Sequence, residues 1–283
     1  MGTGPEPEST LIANVLVALM ADDGVIAEVA PFDSARDARR ALELGEIDVL
    51  PSYTGAVLLE ELGRSAPADP DISYTNARFE DARNGLVWLP RTRADATFAF
   101  FVAGSPSRFA NLGRTAQLAA LLGEQPDLRL CVDPDFVERP DGLAAVQDAY
   151  ARPEVNVLEL PPAEAIRATA RGACIAGLST ATDGSARVLG LHALDDELGV
   201  FPAFVLCAVV TDEFADTRRD AIAALRPFGR RVTTNDVSRW NAQVVRGEEI
   251  EAVAEAAAVE LLVRARRPTS PTPTSSPEPT ATE

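Results

Sequence analysis

Residues 41–56 read ALELGEIDVLPSYTGA. Their first residues close a helical pattern over 34–44, with Asp33 or Ser34 as its cap, and Gly45 supplies a stop. Residues 47–50 then form a short apolar strand that ends at Pro51, ahead of Tyr53-Thr54-Gly55. Upstream, residues 26–30 read as a strand and residues 9–21 (STLIANVLVALMA) as a helix, with Ser9 the candidate cap after Pro5 and Pro7. Met1-Gly2-Thr3-Gly4 is expected to open in or just after a first strand, with an export signal trimmed away ahead of it. The order strand, helix, strand, helix, strand is the rhythm of an α/β protein with a mostly parallel sheet.

Downstream, residues 65–84 are a polar stretch. Residues 97–103 (TFAFFVA) form an unbroken apolar run, as a strand covered on both faces requires. A second α/β unit follows, with helices at 116–122, 142–151 and 162–171 and strands at 128–132, 155–158 and 173–178. A long apolar strand over 200–211 precedes helices at 217–225, 234–246 and 249–264. Residues 267–283 hold PTSPTPTSSPEPTATE, too poor in apolar side chains to build a core, and are expected to be a disordered tail or linker.

Composition narrows the chemistry. The chain has 283 residues with 46% apolar content, enough for two lobes with a core each. A net charge of −17 opposes binding to nucleic acid or an anionic membrane surface. All 26 basic residues are arginine, which removes the lysine of a phosphate-binding loop or a Schiff base. His192 is the single histidine, in the strand-like setting GLHAL, and is assigned a structural role. Cys131, Cys174 and Cys207 are widely spaced in apolar runs, which argues against a zinc site. Buried thiols are the default, and a Cys131–Cys174 bridge requires their strands to be neighbours. No cofactor or metal is implied. No window reaches the roughly 18 apolar residues of a membrane span.

The segment 41–56 resembles the region around the YTGT motif in the glycine betaine, choline and carnitine binding proteins of ABC importers. Four further segments resemble that family's motifs in the same order: 94–99 (ADATFA), 135–142 (DFVERPDG), 181–184 (ATDG) and 194–210 (LDDELGVFPAFVLCAVV). The resemblance implies a two-lobe binding fold, with lobe 1 at 1–103 and 205–266 and lobe 2 at 104–204. Ligand would be trapped between the lobes by hinge closure. It also implies an extracytoplasmic, membrane-anchored, monomeric solute-binding component that delivers a small molecule to permease subunits and is not an enzyme.

A quaternary ammonium donates no hydrogen bond, so aromatic faces must hold it. By motif match the cage positions are Tyr53, Phe98, Thr180 and Phe204, where the family typically has tyrosines. Thr54, Thr182, Asp183 and Arg139 are the neighbouring polar candidates. The family's second threonine is Ala56 here, and Ser9 stands where a glutamine is usual. Trp88 and Trp240 are assigned to packing. Two other functions compete: a sensing or scaffold domain of the same fold with diverged specificity, and a hydrolase using two carboxylates. For the second, no acid pair sits in a distinctive motif.

Overall fold

The structure is a computed structural model describing residues 1–105, 107–139, 141–151 and 154–266. The tail expected at 267–283 lies outside the described residues. Ten strands are present among them: β1 (Gly2–Thr3), β2 (Ala30–Pro31), β3 (Val49–Tyr53), β4 (Leu86–Trp88), β5 (Phe98–Ala103), β6 (Arg129–Val132), β7 (Asn156–Glu159), β8 (Ala176–Thr180), β9 (Leu191–Ala193) and β10 (Leu206–Thr211).

They form three sheets, ordered β1-β2, β3-β10-β4 and β7-β6-β8-β5-β9. The pairings β1–β2, β6–β7 and β6–β8 are parallel. Those of β10 with β3 and β4, and of β5 with β8 and β9, are antiparallel. The expectation of mostly parallel sheets is therefore corrected to mixed sheets. The late strand β10 crosses back and enters the three-stranded sheet of the first lobe, hereafter the first sheet, against the direction of β3 and β4. The apolar run from Val200 begins as a strand only at Leu206.

β10 is covered on both faces. Leu206, Ala208 and Val210 enter a core with the helices Pro7–Asp22, Thr234–Val245 and Ile250–Arg266, while Cys207 and Val209 enter a second core with the helix Ala35–Glu43. The period-two geometry of a strand sends alternate residues to opposite faces, so a doubly covered strand reads as continuously apolar. β5 obeys the same rule, with Phe100 and Val102 in one core and Ala99 and Phe101 in another. Through its pairing with β8 and β9, β5 sits in the five-stranded sheet, so the pairing changes sheets before Phe98 rather than after Ala103.

Three local expectations change. The first helix starts at Pro7 rather than Ser9, because proline suits the first helical position. Residues 26–30 are largely not strand, and Ile26 is 94% exposed. The polar stretch holds a helix, Pro70–Asp81, capped by Asp69, whose buried positions are Ser73, Ala77 and Asp81. Small and polar residues on the inward face hide the helical period. Asp81 is buried because Arg39 Nη1 donates to it at 2.7 Å and Trp88 Nε1 at 2.8 Å. Burial would raise the Asp81 carboxyl, but these bonds outweigh it and hold the group below its ordinary range.

Trp88 and Trp240 are core residues, as expected. His192 lies on the edge strand β9, with Nε2 2.7 Å from the Leu112 carbonyl. Cys131 and Cys174 form a disulfide with a Cα–Cα distance of 5.7 Å, made possible by the parallel β6–β8 pair. Cys207 is a free, buried thiol.

Candidate functional site

Tyr53 ends β3 opposite Leu206 of β10. The helix beginning at Pro7 carries Glu8 in its first turn, and the Tyr53 hydroxyl donates to Glu8 Oε1. Asn241, on the helix Thr234–Val245, donates to Glu8 Oε2 and also to the Thr182 carbonyl at 2.9 Å. The Tyr53 phenol is pushed well above its ordinary range, first by burial and then by the charges and acceptors of Glu8 and by Asp95. Tyr53 therefore stays a neutral donor.

Phe98 opens β5 directly opposite Thr180 of β8. Its ring centroid lies 5.9 Å from that of Phe204, 5.6 Å from Phe136 and 6.2 Å from Phe201. Phe204 is fixed by its own backbone. Its N–H donates to Asp95 Oδ1 at 2.8 Å, and its carbonyl accepts from Ala96 N–H at 2.9 Å. Burial raises the Asp95 carboxyl, against the bonds from Phe204 and Thr97. Gly55 permits the close approach, since a Cβ there would stand 2.7 Å from the Ala203 carbonyl and 3.0 Å from Phe204 Cγ.

Arg139 places its guanidinium 5.5 Å from the Phe98 centroid, within cation–π range. It also donates to Asp141 at 2.9 and 2.7 Å. That bidentate contact raises Arg139 and lowers Asp141, and the charge of Glu60 adds to the rise at Arg139.

The contacts join in sequence: Tyr53 to Glu8, Glu8 to Asn241, Asn241 to Thr182, Thr182 to Thr180 at 3.3 Å, Thr180 beside Phe98, and Phe98 to Phe204. These contacts link Tyr53, Thr180, Thr182, Phe98 and Phe204 pair by pair across the three-stranded and five-stranded sheets, with Arg139 beside Phe98. A cavity of about 250 Å³ is lined among others by Glu8, Ser9, Tyr53, Ala56 and Glu60, and Phe98, Thr180 and Phe204 are not among its lining residues.

Three residues named from the sequence have other partners. Thr54 is fully buried; its hydroxyl donates to the Ala203 carbonyl at 3.2 Å and accepts from Ser73 at 2.7 Å and Val205 N–H at 3.0 Å. One donor and two acceptor positions exhaust a hydroxyl, so in this structure Thr54 clamps the segment carrying Phe204. Asp183 caps the helix Gly184–Val188 through Ser185 and Ala186 N–H, at 2.6 and 3.1 Å, and accepts from Ser179 at 2.5 Å. This is the arrangement of a helix cap. Ser9 accepts from Thr3 at 2.9 Å and from Gly4 N–H at 3.0 Å, keeping only its own hydrogen for another partner.

Sequence reasoning missed Glu8, Asp95 and Asn241. Glu8 sits beside Ser9, and a carboxylate in a first helical turn has an ordinary role against the helix dipole, so nothing marked it. Asn241 follows the core residue Trp240. No group of three or more His, Cys, Asp or Glu side chains suited to a metal occurs among the described residues.

The profile of the family described as the substrate binding domain of ABC-type glycine betaine transport system matches residues 1–259. The glycine betaine-binding protein YehZ of Escherichia coli (strain K12) is 26% identical over 266 residues, which is 90% of this chain and 87% of that protein. The solved structure of apo YehZ from Escherichia coli is similar with a TM-score of 0.79 at 25% identity, over 94% of this chain and 97% of that one. A solved structure described as a glycine betaine/carnitine/choline ABC transporter has a TM-score of 0.83 at 21% identity, over 92% and 97% of the two chains. The fold is thus the two-lobe fold of these binding proteins, as the sequence motifs implied.

Proposed function

The chain belongs to the family of substrate-binding domains of ABC-type glycine betaine transport systems, and from that premise we propose that it captures a small quaternary-ammonium solute between its lobes and presents it to permease subunits. The family and fold are those of transporter solute-binding proteins rather than enzymes. Such domains work outside the cytoplasmic membrane. The Cys131–Cys174 disulfide suits that oxidising setting. No helix among the described residues is long and apolar enough to cross a membrane, and membrane attachment, like a monomeric state, is part of the proposal.

One observation carries the reading. Phe98, on the five-stranded sheet, and Phe204, on the segment returning to the first sheet, bring their rings within 5.9 Å, while Tyr53 is linked to Phe98 through Glu8, Asn241, Thr182 and Thr180. In this proposal the methylated cation lies among these rings, with Thr182 on the second-lobe side and Arg139, whose charge is paired with Asp141, beside Phe98. The first lobe comprises the segments before Phe98 and after Phe204, a boundary supported by the pairing of β5 with β8. Closure about those two crossings traps the solute.

Isothermal titration with choline, glycine betaine and carnitine tests the reading. Saturable binding of at least one, lost in Tyr53→Ala or Phe98→Ala without loss of fold, is the expected result. Absence of binding by all three overturns it.

A further inference from the structure

The helix Gly184–Val188 is rooted on the five-stranded sheet, because Ala186 packs in a core with Phe101, Ile166 and Leu191. The helix Thr234–Val245 is rooted in the core of the first sheet through Val237 and Trp240. On the lobe division proposed above, these helices belong to different lobes, and they meet along a seam. Asn241 reaches the Thr182 carbonyl at 2.9 Å, and Arg187 Nη1 donates to Asn235 Oδ1 at 2.9 Å. With Gly184 against Asn241 and Ala242, the seam spans about two turns of the longer helix.

Gly184 is the point of closest approach. A Cβ there would stand 2.4 Å from the Asn241 carbonyl carbon, 2.5 Å from Ala242 N and 2.7 Å from the Asn241 oxygen, whereas carbon atoms pack at about 3.5–4.0 Å. All three atoms are backbone, so no rotamer change relieves the overlap and one helix must move from the other. Local geometry makes no such demand for glycine. Gly184 is not among the glycines with positive φ, and it opens a helix capped by Asp183, where alanine is the better helix former. The requirement comes from the facing helix.

We propose that Gly184 is a positioning residue for solute capture: its missing side chain lets the second lobe seat on the helix Thr234–Val245, and that seating holds the closed state. The inference rests on the two-lobe capture reading above. A solute trapped by closure escapes through opening, so a side chain at 184 acts through the population of the closed state.

Gly184→Ala is read first without ligand. In a background carrying Arg187→Cys and Asn235→Cys, a short bismaleimide links the two helices across the seam, and mass spectrometry follows the intramolecular product; Cys207 is buried and stays silent. Adding Gly184→Ala should slow that cross-link about fivefold or more, while thermal melts confirm folding. With choline and glycine betaine as probes, Gly184→Ala should weaken both by the same factor of about ten or more, through faster dissociation with association little changed. Equal loss distinguishes seating from a contact with the solute, which would change the ratio of the two. Arg187→Ala, at the exposed rim of the seam, should weaken both about threefold. A cross-linking rate unmoved by Gly184→Ala, or affinities unmoved or changed unequally, overturns the proposal and leaves the quaternary-ammonium reading standing. If the wild type binds neither probe, that reading fails, and the cross-linking rate alone decides the seam.

Discussion

Asn241 donates its amide to the Thr182 carbonyl across 2.9 Å, tying the helix Thr234–Val245 to the turn after β8. Gly184, just beyond, lies so close to that helix that a Cβ would stand 2.4 Å from the Asn241 carbonyl carbon. The contact joins segments 59 residues apart and lies one bond from Glu8.

Removing this tie should weaken ligand capture more than it weakens the fold. Asn241→Ala leaves the half-buried Glu8 with one partner fewer and the Thr182 carbonyl without its side-chain donor. With a hydrogen bond to a charged group contributing about 1.5–3 kcal/mol, the expected loss of affinity is about 10- to 150-fold. Calorimetry on the variant, beside a melting curve, checks it. An unchanged Kd would mean that Asn241 is only a packing residue.

Acid should loosen the junction of the last two helices. Asp236 accepts from Arg264 at 2.9 and 3.0 Å, from Arg239 at 3.2 Å and from the Thr233 hydroxyl at 2.8 Å. Burial opposes ionisation, but these bonds prevail and hold the carboxyl at about 2. Since the folded value lies below the unfolded one of about 3.9, the stabilisation is complete above pH 4 and disappears as the pH falls through 2. Both arginines are about a third exposed, so solvent screening trims the effect to about 1–2 kcal/mol. Urea denaturation at pH 7 and pH 3 should show wild type losing more stability than Asp236→Asn between the two.

The thiol inventory is as sharply testable. Cys131 and Cys174 are bonded and Cys207 is buried, so native protein should not react with a thiol reagent. In denaturant without reductant one thiol per chain should appear, and three after reduction. Closing a loop of 43 residues should stabilise the fold by about 2–4 kcal/mol, read from denaturation with and without reductant.

These features were legible to different degrees in the sequence. β5 and β10 announced themselves because both faces are covered, so every position had to be apolar. The helix Pro70–Asp81 stayed hidden because it buries Ser73, Ala77 and Asp81 instead of leucines, with Arg39 and Trp88 supplying partners for Asp81. The ring positions followed from ordered motifs, which carry local geometry with them. Thr54 and Asp183 lie in the same motifs, yet serve the backbone around the rings. Glu8 and Asn241 are linked over 233 residues, and no local pattern encodes that meeting.

Thr180 offers a gain-of-function test of the cage. It pairs directly with Phe98, and opposite residues on antiparallel strands project to the same face, so a side chain at 180 lies beside the Phe98 ring. Thr180 is half-buried, and its hydroxyl lies 3.3 Å from that of Thr182, a single contact to give up on exchange. Thr180→Tyr adds an aromatic wall, and with a cation–π contact worth about 0.5–2 kcal/mol, choline should bind about 2- to 30-fold more tightly. Thr180→Leu adds apolar volume without a π face and is the control. A gain with tyrosine and not with leucine places the bound cation against position 180. Equal gains would mean that simple burial accounts for the effect, and no gain would place the cation elsewhere among Tyr53, Phe98 and Phe204.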